Sequence, residues 1–122
     1  GNLVSCRAAV ATLRFHQEHA LGERSNKLGD FLIARLRELQ RRRVLVSDVR
    51  GLGLMIGVEL DAGADSPNSA DLVLERMKDA GYLIGKCGPG RNVLAFLPPL
   101  IVERQQLDAM TDELDRVLAS VV

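Results

Sequence analysis

The chain has 122 residues, 47% hydrophobic and 26% charged, a composition that builds one globular domain with a real core and is too short for two. Sixteen Lys and Arg balance sixteen Asp and Glu, so the chain lacks the electrostatic footprint of a nucleic-acid or anionic-membrane binder. Cys6 and Cys87 form no closely spaced pair, and the longest mostly apolar stretch, Leu52 to Leu60, is far below the ~20 residues that cross a bilayer. These features argue against a zinc knuckle, a disulfide framework and a transmembrane segment, and they imply reduced thiols in a cytoplasmic protein.

The opening Gly1-Asn2-Leu3-Val4 has neither an initiating Met nor a signal region and enters a helical pattern at once, so the chain reads as excised from something longer. A first helix is predicted from Leu3 to Leu21, its Ala-rich stripe of Cys6, Val10 and Leu13 widened by Ala8, Ala11 and Phe15 as if packed on more than one side, with Gly22 ending it. A second amphipathic helix carries Leu28, Phe31, Leu32, Leu36 and Leu39 at steps of three and four, closing in Arg41-Arg42-Arg43.

The period then changes. Val44 to Val49 and Leu54 to Leu60 read as strands joined at Gly51-Leu52-Gly53. Ala62 to Ser69 reads as a loop whose Ser69 caps a helix from Ala70 to Ala80, closed by Gly81. Tyr82 to Ile84 is expected as a short strand, Gly85 to Gly90 as a loop, and Asn92 to Leu97 as a strand stopped by Pro98-Pro99. A helix from Glu103 to Val121 closes the chain. This order gives an α+β fold, a small, mainly antiparallel sheet of about four strands packed by helices and preceded by a long helix pair.

No catalytic constellation emerges from spacing. Gly51, Gly53 and Gly57 follow GxGxxxG and lead into a strand, whereas a dinucleotide fingerprint opens a helix. His16 and His19 are three apart, not the four of the metalloprotease pattern, so no metal site is assigned. Arg41 to Arg43 read as a solvated helix end, and Lys86, beside Cys87 in a glycine loop, has no activating partner nearby in sequence.

Three segments carry a resemblance. Gly1-Asn2-Leu3-Val4-Ser5-Cys6-Arg7-Ala8-Ala9 resembles the "GGNP(L/V)(A/S)CAAA" segment of class III aminotransferases, pyridoxal-phosphate enzymes of the aspartate-aminotransferase fold, with Leu3 where proline is usual. Asp48 to Leu60 is similar to their "(D)VRGxGLMxGxEL", and Asn92 to Ile101 to their "NV(I/L)RxxPPLxI". The resemblance implies a carboxyl-terminal portion of such an enzyme, in which residues 1–21 continue from a missing large domain and residues 22–122 form the small domain. The family's Schiff-base lysine, its pyridine-nitrogen acid and its ring-stacking aromatic would lie upstream of Gly1, so no residue of this chain is assigned a catalytic role.

By the same resemblance Gly1 and Asn2 adjoin the cofactor, while Lys86, Arg91 and Ala95 line the substrate cleft. Ala95 stands where the family motif has the arginine that pairs with a substrate carboxylate, which leaves open amines, ω-amino acids, or a carboxylate held by another arginine such as Arg91. The implied parent moves an amino group from an amine or amino-acid donor to a 2-oxo acid through pyridoxal phosphate, as a homodimer, and the fragment alone neither binds the cofactor nor catalyses. The alternatives are a phospho-lyase or epimerase of the same family, and a cofactor-free α+β binding or dimerisation module.

Overall fold

The computed structural model describes residues 1–61 and 69–121. Four helices and four strands follow in the order α1 (Leu3–Glu18), α2 (Leu21–Arg42), β1 (Val46–Leu52), β2 (Met55–Leu60), α3 (Ser69–Asp79), β3 (Gly85–Cys87), β4 (Val93–Phe96) and α4 (Arg104–Ala119). The strands form one sheet in the order β1-β2-β4-β3 with every neighbouring pair antiparallel, so the predicted α+β class holds.

Alternation along the strands decides what lies on each face. Val49, Val58, Leu94, Ile56 and Phe96 point to one side, where Leu32, Leu36 and Leu39 of α2, Val73 and Met77 of α3, and Leu107, Leu114 and Leu118 of α4 complete the core. Arginines of α2 join acids of α4 along the helix layer: Arg35 lies 3.0 Å from Asp108 and 2.7 Å from Asp112, and Arg43 lies 2.6 Å from Asp115. Arg42 also reaches Asp115, at 3.1 Å, so two of the three arginines read as a solvated helix end hold α4 instead.

Several boundaries differ from the sequence reading. The first helix ends at Glu18, not Leu21. Asn2 caps its start by accepting from the Val4 amide at 2.9 Å, and the chain turns at Ala20, whose φ of 45° is left-handed. Gly22 therefore lies inside α2, because an alanine made the turn that was expected of a glycine. No residue of α1 is buried in this chain, although its apolar positions occupy several faces. The first strand begins at Val46 rather than Val44 and runs on to Leu52, with a register irregularity between Val46 and Asp48.

The loop expected at 62–68 lies outside the described residues, and Ser69 is the first residue of α3 rather than its cap. Residues 82–87 depart furthest from the sequence reading. Tyr82 to Ile84 is not a strand, and Gly85 to Cys87, expected as loop, is strand β3, paired Gly85 with Ala95 and Cys87 with Val93. A neighbouring strand supplied hydrogen-bond partners that overrode the local preference of glycine. Only the tip, with Gly88 at φ 84° and Arg91 at φ 51°, remains a turn, closed by the Arg91 amide donating to the Gly88 carbonyl at 3.0 Å.

Candidate functional site: the outer face of the sheet

The second face of the sheet carries the polar and small residues. Register places Asp48, Glu59, Val93 and Cys87 side by side, then Arg50, Gly57, Ala95 and Gly85, then Leu52 and Met55 beside the end of β4. The middle row begins with an arginine and continues through two glycines and an alanine, so three of the four strands raise almost no relief there. Small residues are required at its margins. A Cβ on Gly57 would stand 3.1 Å from Val93 Cγ1 and one on Gly88 would stand 3.0 Å from Val93 Cγ2, which is how Val93 becomes buried on this otherwise open face. Leu52, Met55 and Leu97 are exposed along the apolar margin.

Arg50 is the cation of this face. Its Nη1 donates to Asp48 Oδ2 at 2.6 Å and to Glu59 Oε2 at 2.7 Å. Those two bonds, Asp48 first, hold the guanidinium pKa above its ordinary value. The pairs are half-exposed, so they orient the guanidinium more than they stabilise the fold.

The candidate residues from the sequence do not converge. Ala95 is half-buried in the middle row, facing outward between Gly57 and Gly85. Lys86 pairs with Leu94, which puts its side chain on the helix side of the sheet; there it is nearly buried, 8% exposed, and ion-paired with Asp71 of α3. Lys86 and Ala95 thus occupy opposite faces, and Lys86 ties β3 to α3. Arg91 sits exposed at the hairpin tip. Gly1 is exposed before α1, and the Asn2 side chain is engaged in capping that helix.

Sequence reasoning missed the trio Asp48, Arg50 and Glu59, although strand alternation placed all three on one face. The missing piece was register, which depends on the β1-β2 turn. A crevice of ≈ 350 Å³ opens beside Tyr82, Leu83, Phe96, Pro98 and Met110, but no charged side chain lines it. Among the described residues no cluster of three His, Cys, Asp or Glu is arranged to hold a metal, and no helix is long and apolar enough to cross a membrane.

Comparison with known proteins adds the family. The model of the class-III aminotransferases matches residues 1–118. The 5-aminovalerate aminotransferase of Pseudomonas putida is 39% identical over 111 residues, covering 88% of this chain and 26% of that protein. The acetylornithine aminotransferase of Methanocaldococcus jannaschii is 37% identical over 121 residues, covering 99% of this chain and 28% of that protein. Among solved structures, a phospholyase from Arthrobacter in complex with phosphoethanolamine superposes with a TM-score of 0.87 at 32% identity, over 93% of this chain and 28% of that one. The chain thus spans about a quarter of the length of the curated relatives it matches, and it belongs to the class III aminotransferase family.

Proposed function

We propose that this chain is the small domain of a pyridoxal-phosphate-dependent aminotransferase and that the outer face of its sheet, centred on Ala95, forms one wall of the donor cleft. The observation that carries the reading is Ala95 itself, turned outward and only half-buried at the position where the motif it resembles supplies an arginine. In water a carboxylate left beside a methyl group keeps its hydration, whereas in a closed cleft it would lose hydration without gaining a partner. Donors without a carboxylate on the amine-bearing carbon are therefore favoured. One of the similar proteins is named for such a molecule, 5-aminovalerate, and another was solved in complex with one, phosphoethanolamine.

The residues present do not make a cofactor pocket by themselves. Lys86 is turned to the helix side and held by Asp71, Lys78 is held by Glu75, and Lys27 lies exposed on α2, so no lysine faces the wall around Ala95. The lysine and the remaining cofactor contacts are assigned to a large domain outside this chain, and Gly1 and Asn2 to the join where α1 enters it. The exposed apolar residues of α1, Leu3, Val4, Val10, Leu13 and Phe15, are the surface that this domain would cover. Homodimeric assembly and a cytoplasmic location complete the proposal.

The test uses the complete enzyme with pyruvate as the common acceptor and compares donors by kcat/KM, which in ping-pong turnover reports the donor half-reaction alone, so the slow uptake of pyruvate's own carboxylate beside Ala95 affects every donor equally. Primary amines and ω-amino acids should be converted at least tenfold more efficiently than α-amino acids, with alanine formed in equal amount to donor consumed. The Arthrobacter likeness supports one second reading, lyase chemistry, which would instead consume one water and split phosphoethanolamine into acetaldehyde, ammonia and phosphate without forming alanine.

A further inference from the structure

We propose that Arg50 is the carboxylate-recognising residue of this face, so that the domain accepts donors carrying an anion at the end remote from the amine. The inference rests on the reading that the wall around Ala95 lines the donor cleft. Topology selects the residue. Arg50, Gly57 and Ala95 stand abreast on β1, β2 and β4, and only a residue without a side chain lies between the strand position of Arg50 and the vacant arginine position. Adjacent strands are about 4.8 Å apart, so the Arg50 and Ala95 backbones are separated by about 10 Å. The guanidinium, held at the edge of this row by Asp48 and Glu59, would meet a carboxylate that an α-amino acid would not present there but a longer ω-amino acid would.

The guanidinium is also prepared for the task. Both protein carboxylates are taken by Nη1 alone. Nε and Nη2, the edge that grips a carboxylate with two parallel hydrogen bonds, have no partner among the described residues, and the side chain is 53% exposed. Asp48 and Glu59 orient the fork and bring the formal charge of the trio to −1; all three side chains are partly exposed, so the high dielectric of water weakens that repulsion, and a bidentate bond to the free edge has to outweigh it. Arg91, the other candidate, is at the hairpin tip and outside this row.

The complete enzyme is assayed with 5-aminovalerate and with pentylamine, which has the same carbon chain without the carboxylate. Arg50→Gln should lower kcat/KM for 5-aminovalerate about ten- to a hundredfold, the range of a hydrogen bond to a charged group, mostly through KM, and change pentylamine less than about twofold. Arg50→Lys should restore only part, because an ammonium lacks the fork. Glu59→Gln, which leaves the Asp48 anchor and removes a like charge, should raise kcat/KM for 5-aminovalerate several-fold. Calorimetry with pentanoate gives a readout that needs no turnover, its Kd rising about tenfold or more in Arg50→Gln. Equal losses on both donors in Arg50→Gln and Glu59→Gln, or an unchanged pentanoate Kd, would overturn the assignment. A wild-type enzyme that transfers no amino group from any donor refutes the aminotransferase reading instead, and the pentanoate measurement still decides the role of Arg50.

Discussion

Gly29→Ala examines how the glycine turn is seated, and its cost follows from the geometry. Gly29 lies in the middle of α2, where alanine is intrinsically favoured by about 1 kcal/mol. In this helix, however, the new Cβ would stand 2.1 Å from the Gly53 carbonyl oxygen, 2.4 Å from its carbon and 2.7 Å from its Cα, all backbone atoms of the turn between β1 and β2. The turn must retreat by more than about 1 Å to reach ordinary contact distance. That retreat also strains the bond donated by the Leu54 amide to Ser25 Oγ, now 3.2 Å, and lifts buried Leu54 from the core. Overpacking costs about 1–3 kcal/mol and a lost hydrogen bond about 0.5–1.5, against the helical gain of about 1, for a net loss of roughly 1–3 kcal/mol. At about 4 °C per kcal/mol, Tm should fall by roughly 4–12 °C. The internal control is Gly22→Ala in the same helix, where nothing lies within 4 Å of the added atom and stability should rise by up to about 1 kcal/mol. Urea and thermal unfolding of both variants give the comparison. If Gly29→Ala were as stabilising as Gly22→Ala, the close seating of the turn on α2 would be wrong.

The Lys86 pair should respond asymmetrically in urea unfolding. Asp71→Ala strands a nearly buried ammonium and costs about 1–3 kcal/mol, whereas Lys86→Met leaves only the more exposed carboxylate and costs less than about 1. Arg91→Gly relieves a left-handed arginine at φ 51° and should stabilise by roughly 0.5–1 kcal/mol after the entropy of glycine is counted, as a Tm increase would show. Ala95→Arg should leave stability within about 1 kcal/mol, since the face is open, and should improve kcat/KM for α-amino acids relative to simple amines about ten- to a hundredfold; unfolding of the variant, or no change in preference, would remove Ala95 from the cleft wall.

Periodicity was enough for the helices α2, α3 and α4 and for the two strands β2 and β4, because each buries a continuous stripe whose spacing is written in the chain: Leu32, Leu36 and Leu39 in one case, Leu94 and Phe96 in another. The motifs at Asp48 to Leu60 and Asn92 to Ile101 were likewise sufficient to indicate the family that the comparisons then showed. Residues whose state depends on a distant neighbour were not legible. Gly85 to Cys87 became a strand only because β4 lies beside it, and Ala20, not Gly22, took the turn between α1 and α2. The same distinction holds for the site. Sequence marked Ala95 as a departure from a motif, but a strand alternates faces with every residue, so a single step separates outward Ala95 from inward Lys86 across the β3-β4 ladder. Register along β1, β2 and β4 is what aligned Arg50, Gly57 and Ala95, residues as much as 45 positions apart in the chain, and register is set by the turn that Gly29 and Ser25 receive and by the core against which the opposite face packs.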